Sequence, residues 1–513
     1  MEAAEALGKG AASTYLEAAK AWARSRSRAF WIVAGLSLLA AGLRFATLGM
    51  QAYHHDEIVT ASRVLRKDFW HAMDAVGFSE SAPPLYYALA WPWTQLMGTG
   101  EAGLRSLSAL FGVMTVPFAY LLGAELRGQR AGIATAALVA VNPMLVWYSQ
   151  EGRAYSLLVL LTTVSALYFV RALNRGHRRD LRLWGIASAL ALATHYFALF
   201  PVALEALWLL WRRGRESLAG LWIVLAGGLL LAPLAIHQML EGRAEWIGNH
   251  GLGHRLWEVG VFFTVGETGD VIARPERPLL AAVPVLAVLV ALGMLAWRGE
   301  QGERRGGGRM LAIAAVTVAI PVALGLLIPS KDYVLARNLL PALVPLIAAA
   351  AIGLTLRRAR LAGILVGGLL FAYSLGFTVA TAFVPSLQRP DWDAVAARLG
   401  EPEAPRAMVS WTLGHASLRY YLSTGSFQVV PSEGFRWFVN EVDFISDGPA
   451  PPVPVSVLGP RFRQVGYEKV GRLYVRRYAV PRSELAHLRL GPVRETELGF
   501  RSNGVLLDGI GAP

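Results

Sequence analysis

Residues 23–57, "ARSRSRAFWIVAGLSLLAAGLRFATLGMQAYHHDE", change character twice. A basic segment ending at Arg28 gives way to an apolar run over 29–48. The run is followed by four polar residues in a row, His54, His55, Asp56 and Glu57. About 20 apolar residues match the roughly 30 Å of hydrocarbon that a helix must cross, and basic residues hold their flank in the cytoplasm. The stretch predicts a membrane span that starts inside and delivers two imidazoles and two carboxylates to the outer face.

The rest of the chain repeats the pattern. Of 513 residues, 54% are hydrophobic and 17% charged, a charged share well below the roughly 25% of soluble domains. The absence of cysteine excludes disulfides, thiolate metal sites and cysteine nucleophiles. The net charge of +13 sits in clusters between apolar runs, which reads as cytoplasmic loops and not as a nucleic-acid surface. The polar, partly acidic segment before the first run does not resemble a signal-peptide head, and the run is read as a retained anchor.

Oriented by Lys and Arg, further spans fall at 104–125, 131–147, 154–172, 219–240, 279–297, 310–328, 334–355 and 361–384. The stretch 183–211 carries Thr194-His195-Tyr196 in its middle and basic residues at its end. Two short helices meeting near His195 keep both ends inside, and such breaks occur where helices line a cavity. The count is then about eleven spans, with every basic cluster on one side. Residues 83–98, "PPLYYALAWPWTQLMG", read as an interfacial helix. The division is a cytoplasmic segment (1–28), a transmembrane domain (29–384) and a small α/β extracytoplasmic domain (385–513). In the last, 391–399 and 415–422 read as helices, and 406–411, 427–430, 453–459 and 471–480 as strands.

This threading gathers ionisable residues on one face, at the membrane boundary where they are expensive and usually functional. They include His54, His55, Asp56, Glu57 and Glu80, then Tyr148, Gln150, Glu151, Arg153 and Tyr155, then His195. Glu241, Arg243, Glu245, His250 and His254 join them, with Lys331, Asp332 and Arg337. One carboxylate of the Asp56–Glu57 pair suits a helix cap. The arginines suit either phosphate recognition or snorkelling at a span end. The aromatic candidates for sugar stacking, Tyr148, Tyr155, Trp246 and Trp257, equally suit an interfacial belt. His54, His55 and His195, with Asp56 or Glu80, are candidate ligands for a divalent cation (Mg, Mn or Zn), with no His-Glu-x-x-His spacing to specify one.

In order, "YHHDE", "SAPPLYYALAWPW", "NPMLVWYSQEGRAYSLLVLL", "THYFAL" and "ARNLLPALVPL" resemble the bacterial relatives of the protein mannosyltransferases. These are glycosyltransferases of the GT-C fold that use polyprenyl-phosphate sugars, and the aminoarabinose transferases of lipid A are cousins. The resemblance covers about 30–385 and is densest at 49–160. It implies an inverting transferase in a bacterial plasma membrane, N-terminus cytoplasmic, with a lipid, glycan or protein acceptor and mannose as the default sugar. It implies Asp56 as general base beside Glu57, with Arg153, Arg337 and Lys331 on the donor phosphate and His55, Glu151, Tyr155 and His195 on the substrate. The family's usual Arg-Tyr is Arg337-Asn338 here, and the doubled histidine is a departure. The alternative is a transporter or flippase, which shares the spans and the broken helix but would want polar groups near the midplane. No Walker motif supports an ATP-driven pump.

Overall fold

The computed structural model describes residues 27–242, 247, 251–267, 278–328, 332–410, 414–422, 428–431, 435–449, 451–454, 458–481, 486–490 and 504–508. Helix α1 (Arg28–Phe45) starts at Ser27, whose hydroxyl accepts from the Phe30 amide. After a loop, the short α2 (His55–Val59) continues as a π-turn over Thr60–Val64, followed by α3 (Phe69–Ser79) and α4 (Leu85–Met97). Helix α4 hides Tyr86, Tyr87, Ala90 and Thr94 and leaves Leu96 and Met97 exposed, the amphipathic pattern expected of an interfacial helix.

The bundle continues with α5 (Glu101–Arg127), α6 (Gln129–Val141), α7 (Pro143–Ser149), α8 (Tyr155–Arg175), α9 (Arg178–Leu192), α10 (Leu199–Arg213), α11 (Leu218–Leu240), α12 (Leu252–Val265), α13 (Pro278–Arg298), α14 (Gln301–Leu327), α15 (Leu343–Leu354) and α16 (Arg360–Phe383). Among the described residues, eight helical stretches are long and apolar enough to cross a membrane, or nine if α6 and α7, bent by 57°, count as one. That is fewer than the eleven expected. The expected break near His195 is present, but α9 and α10 have 15 residues each, about 22 Å at 1.5 Å per residue, and Tyr196–Leu240 forms one apolar stretch.

The basic turns gather at one end of the bundle. Arg175 bonds Glu125, Arg213 donates to the carbonyls of Ala172 and Leu173, Arg309 reaches Asn174, and Arg358 lies 3.4 Å from Glu300. Asp56, Arg153 and Arg337, with Tyr155 and His195, gather at the other end.

Helices α17 (Trp392–Leu399) and α18 (Gly414–Tyr421) belong to the C-terminal α/β part. Its strands are β1 (Arg406–Val409), β2 (Gln428–Pro431), β3 (Phe435–Val439), β4 (Glu441–Asp447), β5 (Arg463–Val470), β6 (Leu473–Ala479), β7 (Ala486–Leu490) and β8 (Gly504–Asp508). Six of them form a mixed sheet ordered β2-β8-β1-β4-β6-β5, with β1 parallel to β4, and β3 pairs with β7. The strand expected over 453–459 does not form at its described residues.

Candidate active site at one end of the helix bundle

The first loop is fixed from inside by one arginine. Arg105, on α5 and 1% exposed, donates through Nε and Nη2 to the two carboxylate oxygens of Glu57, at 2.8 Å each. Its remaining N–H groups go to the carbonyls of Leu48, Gln51 and Ala52. Glu57 also accepts from the amides of Gly152 at 2.8 Å and His54 at 3.0 Å, the second closing the first turn of α2 as a helix cap does. A Cβ at position 152 would run into Leu104 at 2.6 Å, so glycine is what lets this amide reach the carboxylate. Burial alone would raise the Glu57 carboxyl, but the Arg105 guanidinium outweighs it and holds it at about 2.

Glu57 is thereby braced on the inside of the loop. It is fully buried, and four donors occupy its oxygens. The helix-cap role weighed for one member of the pair belongs to Glu57.

Asp56 faces the other way and keeps about a fifth of its side chain exposed. His55 Nε2 lies 2.9 Å from Oδ1, and Arg337 donates to Oδ2 from 3.4 Å. Burial pushes this carboxyl up, but His55 and the guanidinium of Arg337 together hold it well below the usual carboxylate range. It is a standing carboxylate open to a ligand. The His54 ring stacks at 4.3 Å from that of His55, its Nδ1 3.8 Å from Asp56 Oδ2.

Arg153 comes from the turn between α7 and α8 and lies close by. It donates to Glu80 at 2.6 Å and to Thr60 Oγ1 at 2.9 Å, and reaches the Asp56 carbonyl at 3.5 Å. Glu80 thus serves Arg153, and the group of ligand atoms within 4.8 Å of one another comprises His54, His55 and Asp56. Tyr155 packs between Tyr148, at 4.7 Å, and His195, at 5.6 Å. Nδ1 of His195 accepts from the Phe197 amide and caps the short 3-10 turn at the break. Lys331 lies outside the described residues, as do Arg243, Glu245, Trp246 and His250. Asp332 pairs with Arg255, and His254 with Glu258 at 3.1 Å, away from Asp56.

Glu151 is buried and salt-bridged at 3.1 Å to Arg389, whose guanidinium lies 4.3 Å over the Trp147 ring. Burial pushes the Glu151 carboxyl up to about 7 against the pull of Arg389. Its Oε1 has no hydrogen-bond partner among the described residues. Sequence reasoning missed both Arg105 and Arg389. The one available signal was a lone arginine in the apolar run "GLRSLSALFG", since a charge at membrane depth is kept only where it is used.

The chain resembles one family model and several solved structures. Residues 81–239, under half of the chain and beginning after Asp56, match the family model described as dolichyl-phosphate-mannose-protein mannosyltransferase. No curated protein matches by sequence. Among solved structures, ArnT from Cupriavidus metallidurans in the apo state superposes with a TM-score of 0.56 at 14% identity, covering 88% of this chain and 98% of that one. The same protein bound to undecaprenyl phosphate gives 0.51 at 16% identity, with the same coverages. The archaeal oligosaccharyltransferase AglB from Archaeoglobus fulgidus, in complex with an inhibitory peptide and a dolichol-phosphate, is less similar: 0.44 at 13% identity, covering 77% of this chain and 59% of that one. The chain is a multi-pass membrane protein with the GT-C architecture of ArnT, and the resemblance legible in its sequence is met by the family model.

Proposed function

We propose that this protein is an inverting glycosyltransferase that moves a sugar from a polyprenyl-phosphate donor to an acceptor hydroxyl, with Asp56 as the general base. The observation that carries this reading is the meeting of Asp56 with Arg337 at one end of the bundle, with Arg153 reaching the Asp56 carbonyl. Mannose, named in the matching family's description, is the first sugar to test. The gathering of basic turns at the opposite end supports a cytoplasmic N-terminus, with the site on the outer face of a bacterial plasma membrane.

The chemistry follows from the charges. Asp56 takes the proton of the acceptor hydroxyl as its oxygen attacks the anomeric carbon from the face opposite the phosphate. The bond from that carbon to the phosphate oxygen breaks, and the departing polyprenyl phosphate gains a negative charge, which Arg337 and Arg153 stabilise. Arg337 has a second effect. While it faces Asp56 it makes that carboxylate a weak base, and a phosphate drawing the guanidinium away restores basicity when a donor is present.

The donor set at His54, His55 and Asp56 fits a divalent cation. Their ligand atoms lie within 4.8 Å of one another, and the buried Nδ1 of His54 has no hydrogen-bond partner among the described residues. Two imidazoles and one carboxylate favour zinc or manganese over magnesium. Bound there, the cation would supply further positive charge beside the leaving phosphate. Metal content and calorimetric binding of zinc and manganese, compared between wild type and His54→Ala, test this without reference to activity. Equal binding by both removes the site.

For the reaction itself, membranes holding wild type or Asp56→Asn are incubated with a panel of radiolabelled polyprenyl-phosphate sugars and a membrane extract. Transfer by wild type alone, with donor binding retained in the variant, supports the reading. Equal transfer by both sinks Asp56 as base. No donor consumed by either moves the transporter reading forward.

A further inference from the structure

The first loop is held from outside as well as from inside, and the outer grip belongs to the C-terminal α/β part. Tyr421, the last residue of α18, accepts from the backbone amide of Tyr53 at 2.7 Å and donates to Glu101 Oε1 at 2.6 Å. Its hydroxyl spends its one proton on the first turn of α5 and a lone pair on the loop. The Tyr53 ring, 1% exposed, lies between the Arg105 guanidinium at 5.1 Å and the Tyr420 ring at 5.8 Å, and its hydroxyl donates to the Thr99 carbonyl. Asp56 follows three residues later. A second tie comes from the segment linking α16 to α17: the Arg389 amide donates to Gln51 Oε1 at 3.0 Å, while its side chain bonds Glu151 and the Gln150 carbonyl.

We infer that Tyr421 is a positioning residue for the transfer reaction, through which the α/β part sets the loop that carries Asp56. Arg105 fixes the buried side of that loop, yet the Tyr53 amide, one residue before the His54 cap of α2, is held only by the phenol oxygen among the described contacts. Loss of that bond frees the turn that orients Asp56 without touching donor-binding residues. A misplacement on the order of 1 Å at a catalytic group costs up to about a hundredfold in rate. The α/β part is then a component of the active centre, and whatever it binds is felt at the base through α18. The inference rests on the transferase reading above.

The test uses the full-length protein in detergent or nanodiscs, comparing Tyr421→Phe and Glu101→Gln with wild type. Tyr421→Phe keeps the ring and removes both bonds. Glu101→Gln leaves the phenol oxygen free to accept from Tyr53 and replaces only the charged partner. For Tyr421→Phe we expect faster amide exchange confined to the peptide spanning 48–57, and kcat lowered about tenfold or more with donor KM unchanged. Glu101→Gln should show a smaller version of both. Unchanged exchange over 48–57, or exchange quickened throughout the bundle with activity falling only in step with Tm, overturns the inference. The exchange readout does not depend on turnover. A wild-type protein that transfers no sugar therefore refutes the transferase reading, while the grip on the loop is still decided.

Discussion

Glu57 and Arg105 lie 48 positions apart in sequence, and two 2.8 Å bonds join their buried charges, while the adjacent Asp56 stays open to solvent. Neighbouring residues on a helix point about 100° apart, so the first turn of α2 can send one carboxylate into the bundle and the other into the site. The pair thus divides into a brace and a reactive group.

Breaking the brace is expected to cost stability. Removing one partner of a buried ion pair costs about 3–5 kcal/mol because the other charge is left uncompensated. Arg105→Ala should therefore lower the thermal midpoint strongly in detergent, and Glu57→Gln should lower it as well. Asp56→Asn should leave it near the wild-type value while abolishing transfer. A Glu57→Gln protein as stable as wild type yet inactive would return Glu57 to the chemistry.

Arg153 and Arg337 are expected to separate in the same way. Arg153 is committed to Glu80 and Thr60, whereas Arg337 has Asp56 at the longer distance of 3.4 Å. Arg337→Gln should weaken donor binding and lower kcat with little change in Tm. Arg153→Gln should lower Tm too, because buried Glu80 loses its guanidinium partner. Adding Glu80→Gln to Arg153→Gln should recover Tm but not transfer. Recovery of transfer in the double variant would show that Arg153 only neutralises Glu80.

Much of this arrangement was legible before any coordinates. Spans at 28–45, 101–127 and 155–175, the break near His195 and the helix after Pro84 follow from apolar length and from proline and basic punctuation. What stayed hidden depends on contacts between distant segments. Asp56 and Arg337 meet across 281 positions, and only packing of α2 against the turn before α15 brings them together. Arg105 sits inside an apolar run and Arg389 in a polar linker, so neither forms a pattern with its neighbours. Glu80 shares the first loop with the histidines, but its Arg153 partner arrives from the turn after α7. The eight or nine apolar stretches among the described residues differ from the expected eleven because α9 is too short to count and α10 and α11 join into one stretch, Tyr196–Leu240.

Stability should also depend on pH through Glu151. Burial pushes its carboxyl up to about 7 from an ordinary 4.5. Between those values the folded protein keeps a proton that the unfolded chain has released. The resulting stabilisation is complete below about 4.5 and is lost as the pH rises through about 7. Thermal midpoints of wild type minus Glu151→Gln, measured across that window, subtract the other titrating groups, and the difference should fall with rising pH. A flat difference would mean that Arg389 keeps Glu151 ionised throughout.

The bend between α6 and α7 gives the last prediction. Pro143 has no amide hydrogen, so the Val139 carbonyl four residues earlier loses its helical donor, and the 57° turn at Asn142 disturbs its neighbours. Arg44, on α1 and 1% exposed, answers by donating to the carbonyls of Ala140 at 2.8 Å and Val139 at 3.4 Å and to Ser149 Oγ at 3.1 Å. Gly112 makes room, since a Cβ there would lie 2.1 Å from Ser149 Oγ and 2.7 Å from Arg44 Nε. Arg44→Leu leaves buried carbonyls without donors, at about 1–3 kcal/mol each. Because α7 runs directly into Gln150, Glu151 and Arg153, the loss should reach the site. The expected outcome is a lower thermal midpoint together with weaker binding of a polyprenyl-phosphate donor, and Gly112→Ala should reproduce both. If Arg44→Leu lowers Tm while donor affinity and kcat stay at wild-type values, the bend supports the bundle but does not place Arg153.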